Sequence, residues 1–298
     1  MQKIKIPCIV VAGPTSSGKS DLAIRLARTF NGEIVSADSR QVYRGMDIGT
    51  GKVSKREQRL VRHWLLDVAS PRNQYSVARY QRDAQKAILD IVRRGKLPII
   101  CGGTGFWIDA LVYGLRLPEV KPDAKLRARL ARHTPAQLYA RLKTLDPIRA
   151  ASIDRHNSVR LIRALEIVIT TKAAVPRPDR SSPYRILYLG VARPWDALRK
   201  RITERLDARL VRGMIAEIRR LHASGISWKR LEAFGLEYRW VTRYLQRTVD
   251  RPTMQNALLH DIIGYAKRQY TWWRKNPDIV WVTSYRQAER LAREFLAQ

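Results

Sequence analysis

Cysteine is almost absent from this chain. Only Cys8 and Cys101 occur, each inside an apolar run that reads as a buried strand. A disulfide framework and a cysteine zinc site are thereby excluded. Acidic residues are also scarce, 26 Asp+Glu against 57 Lys+Arg in 298 residues, for a formal net charge of +31. No two aspartates are adjacent, so the Asp-rich D-D-x-x-D metal motif of polyprenyl synthases is missing. No apolar run approaches the ~18–20 residues of a membrane helix, and internal repeats and low-complexity linkers are lacking. Met1 to Lys3 lead into a β pattern without an n-region, h-region or cleavage site. The expectation is a cytoplasmic protein with no membrane partner.

What is present favours a packed enzyme-sized fold. Hydrophobic residues make up 45% of the chain, too many for wholesale disorder. The excess of positive charge, spread over several elements and interleaved with aromatics, suits a polyanion, since neutralised phosphates release their counterions. Genome-driven arginine enrichment is the competing explanation.

Apolar, β-branched runs alternate with helical patterns. Strands are predicted at Ile4–Ala12, Glu33–Ala37, Leu97–Cys101 and Arg185–Val191. Ser76 reads as the N-cap of a helix with Val77, Tyr80, Ala84, Ala87, Ile88 and Ile91 inward. A further helix follows Asp196, with Leu198, Ile202, Leu206 and Leu210 on one face, and a last one spans about Met254 to Arg274. The pattern predicts an α/β fold, a parallel sheet covered on both faces. Between Pro118 and Pro183 the sequence turns helical and Arg-rich with no convincing strand. The expected organisation is a P-loop core over 1–117, a mostly helical insertion over 118–183, and a second, mostly helical core part over 184–298.

The chemistry starts at Gly13-Pro14-Thr15-Ser16-Ser17-Gly18-Lys19-Ser20, a complete G-x-x-x-x-G-K-[ST] loop between the first strand and the helix pattern Asp21–Phe30. Its amides converge on phosphate oxygens at a helix N-terminus. Lys19 would neutralise the phosphates and Ser20 would offer its hydroxyl to Mg²⁺. Asp38 ends the second strand, where open α/β sheets bind ligands. A small-molecule kinase would use Asp38 or Asp67 to hold Mg²⁺ through water. A third possibility is a nucleic-acid-binding protein with a degenerate loop, which the intact Lys19-Ser20 disfavours.

The run Asp38-Ser39-Arg40-Gln41-Val42-Tyr43 with Met46-Asp47-Ile48-Gly49-Thr50 is more specific than the loop. With Gly13–Ser20, Gly102-Gly103-Thr104, Arg160–Arg163 before Ala164-Leu165-Glu166, and Lys267-Arg268-Gln269, it resembles the tRNA dimethylallyltransferases over nearly the whole chain. The resemblance implies transfer of a dimethylallyl group from its diphosphate to the exocyclic amine of the adenosine 3′ to the anticodon. The loop would then cradle a diphosphate leaving group, with Thr15 and Ser16 lining its pocket. Asp38 would take the amine proton, with Lys19 and Thr104 at the reaction centre. Binding Mg²⁺ through water or capping a loop are the other roles for Asp38, and helix capping the other role for Thr104. The resemblance also implies tRNA contacts by Asp38, Ser39, Arg40, Gln41, Thr104 and Arg127, and by Arg160 and Arg163 with the apolar members of Val159–Arg163 packed. Tyr238 and Arg239 complete that set. Phe234-Gly235-Leu236-Glu237-Tyr238-Arg239 departs from the family's V-G-Y-[RK] turn, its glycine falling two residues early. Trp272 and Trp273 could stack bases, although packing of a terminal helix is favoured. The expected partners are a tRNA anticodon stem-loop, bound in a basic cleft of insertion and core, and dimethylallyl diphosphate. The chain is expected to act as a monomer. Prenylation of a free adenylate is disfavoured, because a small acceptor needs no extended basic surface.

Overall fold

The computed structural model describes residues 5–118, 120–176 and 181–298. Six strands form one sheet: β1 (Ile6–Ala12), β2 (Gly32–Ser36), β3 (His63–Trp64), β4 (Leu97–Gly102), β5 (Tyr184–Val191) and β6 (Ile279–Val282), in the order β3-β2-β4-β1-β5-β6. Every pairing is parallel. The central strands are apolar on both faces because both are covered. One cluster takes Ile9, Val11, Ile99 and Leu189 against the helices Lys19–Thr29 and Tyr285–Leu296. Cys8, Val10 and Ile100 are equally buried outside that cluster, and Val77–Arg93 packs on β2 and β4.

Several predicted boundaries shift. The expected start of the first strand, Ile4, lies outside the described residues. β2 begins one residue before Glu33 and ends at Ser36, because Ala37 already turns away, its N–H bonded to Cys101 O at 2.8 Å. Val77 is only half-buried, whereas the other five residues of that stripe are fully buried. The helix Arg251–Arg274 is not the last element, since β6 and Tyr285–Leu296 follow it. β3 and β6 have two and four residues, too few for a periodic signal. Among the described residues, no helix is long and apolar enough to cross a membrane.

The chain divides into two compact units, Met1–Gly114 with Ser181–Gln298, and Leu115–Arg180. The predicted insertion, 118–183, includes residues 119 and 177–180, which lie outside the described residues. The described part of the second unit is helical: Ala124–Leu130, Pro135–Leu145, Pro147–Ser152 and Ser158–Thr171. Asp123, Thr134, Asp146 and Asn157 cap the four N-termini with their side chains. Leu126, Leu130, Leu138, Leu142, Leu161 and Leu165 fill the core.

Candidate active site

The loop after β1 is held open from outside. Gly13, Ser16 and Gly18 have φ of +152°, +62° and +98°, and the helix Lys19–Thr29 starts directly behind Gly18. First-turn amides of a helix have no upstream carbonyl to bond, so they are available to an anion in the loop. The loop carbonyls are held by other residues. Arg193 Nε donates to Ser17 O at 2.6 Å and Arg201 Nε to Ser16 O at 3.0 Å. Gln269, buried in the helix Arg251–Arg274, ties the loop to the β4 turn. Its Oε1 accepts from Thr15 N at 2.8 Å and its Nε2 donates to Gly103 O at 2.8 Å. Lys19 is half-buried, with Nζ 3.2 Å from Pro14 O. Burial lowers its pKa and the nearby Arg205 adds to that, while Cys101 and Asp38 oppose it.

Asp38 follows β2, two residues past its end, and β4 separates β2 from the loop-bearing β1. The carboxylate is oriented by its own turn: Oδ1 accepts from Arg40 N at 2.8 Å and Gln41 N at 3.3 Å. Oδ2 carries no hydrogen bond among the described residues. Thr104 stands at the N-cap of Gly105–Val112 without capping it. Its Oγ1 instead accepts from Ser39 N at 3.1 Å, while its own N–H reaches Ala37 O at 3.2 Å. Thr104 therefore fixes the residues on both sides of Asp38. Tyr265 neighbours both; burial and then the Asp38 charge raise its pKa.

A cavity of about 610 Å³ opens beside the loop. Its lining takes in Ser16, Gly18, Lys19 and Ser20 of the loop, Asp47–Ile48 and Gly51–Ser54, and Arg201, Arg205, Arg209 and Arg212, with Glu57 and Glu204 among them; Asp38 is not part of it. Asp67, the alternative metal acid, is committed elsewhere. Its carboxylate meets the buried Lys52 at 2.5 Å, with Lys55 at 3.9 Å.

The residues expected to contact tRNA divide by exposure. Ser39, Arg40 and Gln41 are half-buried around Asp38, with Arg40 Nε on Phe234 O at 2.9 Å and Gln41 Nε2 on Gly51 O at 3.4 Å. Arg160 is exposed. Arg127 and Arg163 both close on the buried Glu166, at 2.7 and 2.5 Å, so much of their donor capacity is taken. Val159 does not pack as expected and is 78% exposed. Tyr238 is 1% exposed and donates its hydroxyl to Glu217 Oε1 at 2.9 Å. The expected contact between Tyr238 and RNA is therefore corrected, because its ring lies inside the core; Arg239 is half-buried. Trp273 is fully buried, and Trp272 bonds Asp109 Oδ2 at 3.2 Å.

Sequence reasoning leaves out Arg193, Arg201, Arg205, Gln269 and Tyr265. Gln269 stands in the Lys267-Arg268-Gln269 motif, which signalled its importance without a role. Arg201, Arg205 and Tyr265 look like solvated residues or a core aromatic on helical patterns, and Arg193 like a solvated residue ahead of a helix.

A phosphate loop after β1, a carboxylate just past the end of β2 and a cavity whose lining carries four arginines define a P-loop α/β protein. Residues 41–276 match the sequence model of the IPP transferase family. The chain belongs to that family. It is 42% identical to a tRNA dimethylallyltransferase of Thermomicrobium roseum over 92% of this chain and 85% of that one. A tRNA dimethylallyltransferase of Roseiflexus castenholzii is 43% identical over 92% of each. Among solved structures, the full-length tRNA isopentenylpyrophosphate transferase of Bacillus halodurans superposes with a TM-score of 0.73 and 32% identity, covering 98% of this chain and 96% of that one. A eukaryotic dimethylallyltransferase acting on tRNA superposes with a TM-score of 0.78 at 27% identity, over 97% of this chain and 77% of that one.

Proposed function

We propose that this protein transfers the dimethylallyl group of dimethylallyl diphosphate to the exocyclic amine of the adenosine 3′ to the anticodon in tRNA. The observation that carries the reading is Asp38. Its Oδ1 is fixed by two backbone amides and its Oδ2 is free, at the end of the sheet that bears the diphosphate loop. The amine lone pair is delocalised into the adenine ring, so the amine attacks poorly unless its proton is accepted. The new N–C bond forms as the allylic C–O bond breaks, the diphosphate leaves with the electron pair, and Asp38 Oδ2 takes the proton. Such base help is typically worth ~10²–10⁴-fold. The loop amides and Lys19, with Arg201 and Arg205 on the cavity wall, stabilise charge developing on the leaving group.

The donor set fits Mg²⁺. Ser20 supplies a hard oxygen in the cavity wall, and among the described residues no cluster of three metal-binding side chains occurs. An ion held by Ser20 would take its remaining oxygens from diphosphate and water. When bound, it neutralises diphosphate charge. Loop, base and cavity all lie in one chain, so the reading requires no second copy, and the protein is taken to act as a monomer. The activity belongs with tRNA in the cytoplasm.

The test is incubation with Mg²⁺, dimethylallyl diphosphate and an anticodon stem-loop carrying that adenosine, read by RNA mass. The expected result is addition of one dimethylallyl group. Prenylation of free adenylate but not RNA would point to the small acceptor. Phosphoryl transfer from ATP, with no use of dimethylallyl diphosphate, would point to a kinase.

A further inference from the structure

The run Met46-Asp47-Ile48-Gly49-Thr50 is the most specific part of the sequence, yet none of its side chains has a role in the chemistry above. Its backbone is held from several sides. The carboxylate of Glu217, on the helix Met214–Ala223, is 3% exposed and accepts three consecutive amides. Asp47 N and Ile48 N reach Oε2 at 2.8 and 2.6 Å, and Gly49 N reaches Oε1 at 3.0 Å. The Tyr238 hydroxyl adds a fourth bond to Oε1. Arg209 Nη1 grips Gly49 O at 2.9 Å and is itself held by Glu237 Oε1 at 2.8 Å. Arg205 Nη2 donates to Gly51 O at 2.8 Å. A Cβ on Gly49 would stand 2.7 Å from the Tyr238 hydroxyl, so glycine is what allows this approach.

We propose that Glu217 is a positioning residue for the donor site. It sets the Asp47–Gly51 segment, whose Asp47, Ile48 and Gly51 line the same cavity as the phosphate loop, and the start of the helix Leu236–Leu245 acts through it. The proposal rests on the functional reading above. Consecutive amides converge on one oxygen pair only if the backbone curls around it, so the carboxylate dictates the shape of the loop. The same segment presents Asp47, Ile48, Gly51 and Lys52 to the cavity. The segment that departs from the family pattern, here the start of the helix Leu236–Leu245, thereby acquires a use. Gly235 and Leu236, at φ +74° and +42°, deliver Glu237 and Tyr238 inward, one to Arg209 and the other to Glu217. Both side chains are buried.

Steady-state kinetics on the full chain test this with Glu217→Gln, Tyr238→Phe and, as a control, Glu33→Gln. Glu33 is a buried carboxylate paired with Arg94, on a strand that contributes nothing to the cavity lining. Glutamine turns an N–H₂ group toward amides that need an acceptor, and bonds to a charged group are the strong ones. The KM for dimethylallyl diphosphate should rise about tenfold or more in Glu217→Gln. The KM for the stem-loop should stay within about twofold. Tyr238→Phe should move the same parameter by less, and it carries the test if Glu217→Gln fails to fold. Glu33→Gln should lower Tm and leave both KM values in place. An unmoved donor KM in both Glu217→Gln and Tyr238→Phe overturns the proposal. So does a change in Glu217→Gln that falls equally on both substrates. A wild-type protein inactive on these substrates overturns the functional reading instead, so the two failures are distinct.

Discussion

Asp38 is separable from the backbone it organises. Oδ1 accepts the amides of Arg40 and Gln41, and an asparagine side chain keeps an acceptor for them while losing the ability to take a proton. In Asp38→Asn, kcat should therefore fall by ~10²–10⁴-fold, with the donor still bound by the loop. Single-turnover measurement at saturating diphosphate checks this, and a fully active variant would remove Asp38 from the proton step. The aspartate was legible in the sequence because strand end, phosphate loop and acid lie in local register. Its supports were not. Thr104 is expected at the reaction centre or as a helix cap, and Gln269 belongs to a motif without an assigned role, until the fold brings them to Ser39 N and Thr15 N. Tyr238 is expected as an RNA contact because Tyr238-Arg239 keeps the register of the V-G-Y-[RK] turn in the family that the sequence resembles. Only tertiary packing shows the ring closed against Glu217.

Single buried carboxylates lock some elements together, and acid should release them. Glu166 joins the helix Ser158–Thr171 to Ala124–Leu130 by accepting Arg127, Arg163 and the amide of Asp123. Burial alone would raise its pKa, but these donors outweigh it and hold the group at about 2. Glu33, at the start of β2, is also held at about 2, chiefly by Arg94 against the opposing effect of burial, with Trp64 and Lys96 adding to Arg94. A depressed carboxyl pKa stabilises the fold fully above the unfolded value, near 4.5, and that contribution disappears as pH falls toward 2. The Glu166 contribution at neutral pH is on the order of 3 kcal/mol. Thermal melts should show Tm falling steeply between about pH 5 and pH 2.5. Glu166→Gln should start less stable at neutral pH and lose less over that window, and an identical slope in both proteins would refute the assignment. Element-scale legibility follows the same division. Apolar runs announced the long strands and the Ser76-capped helix. Val159, at 78% exposure, shows that an apolar residue beside a helix start need not pack. The short β3 and β6 owe their strand form to pairing with β2 and β5, which no local pattern records.

Formal charge overstates what the whole molecule can offer an RNA. Of the positive groups behind the net +31, Arg94, Arg127, Arg163 and Arg209 are paired with buried carboxylates. Arg193 and Arg201 hold carbonyls of the phosphate loop. Exposed groups such as Arg44, Lys125, Arg129, Arg160, Lys267 and Arg268 remain, so the count relevant to binding is the number of phosphates these neutralise. Each neutralised phosphate releases condensed counterions, and six to ten contacts would cost ~10³–10⁵ in affinity between about 50 and about 200 mM salt. Fluorescence anisotropy of a labelled anticodon stem-loop at fixed Mg²⁺ should show a loss of at least ~100-fold over that range. Within that titration, Arg160→Ala should reduce the log–log slope by about one, as expected for a residue that meets a phosphate. Arg127→Ala should mainly lower Tm, because Nε and Nη2 are already given to Glu166. A flat salt response would instead mean that the surplus of arginine is a solvated surface, and composition would then say nothing about tRNA.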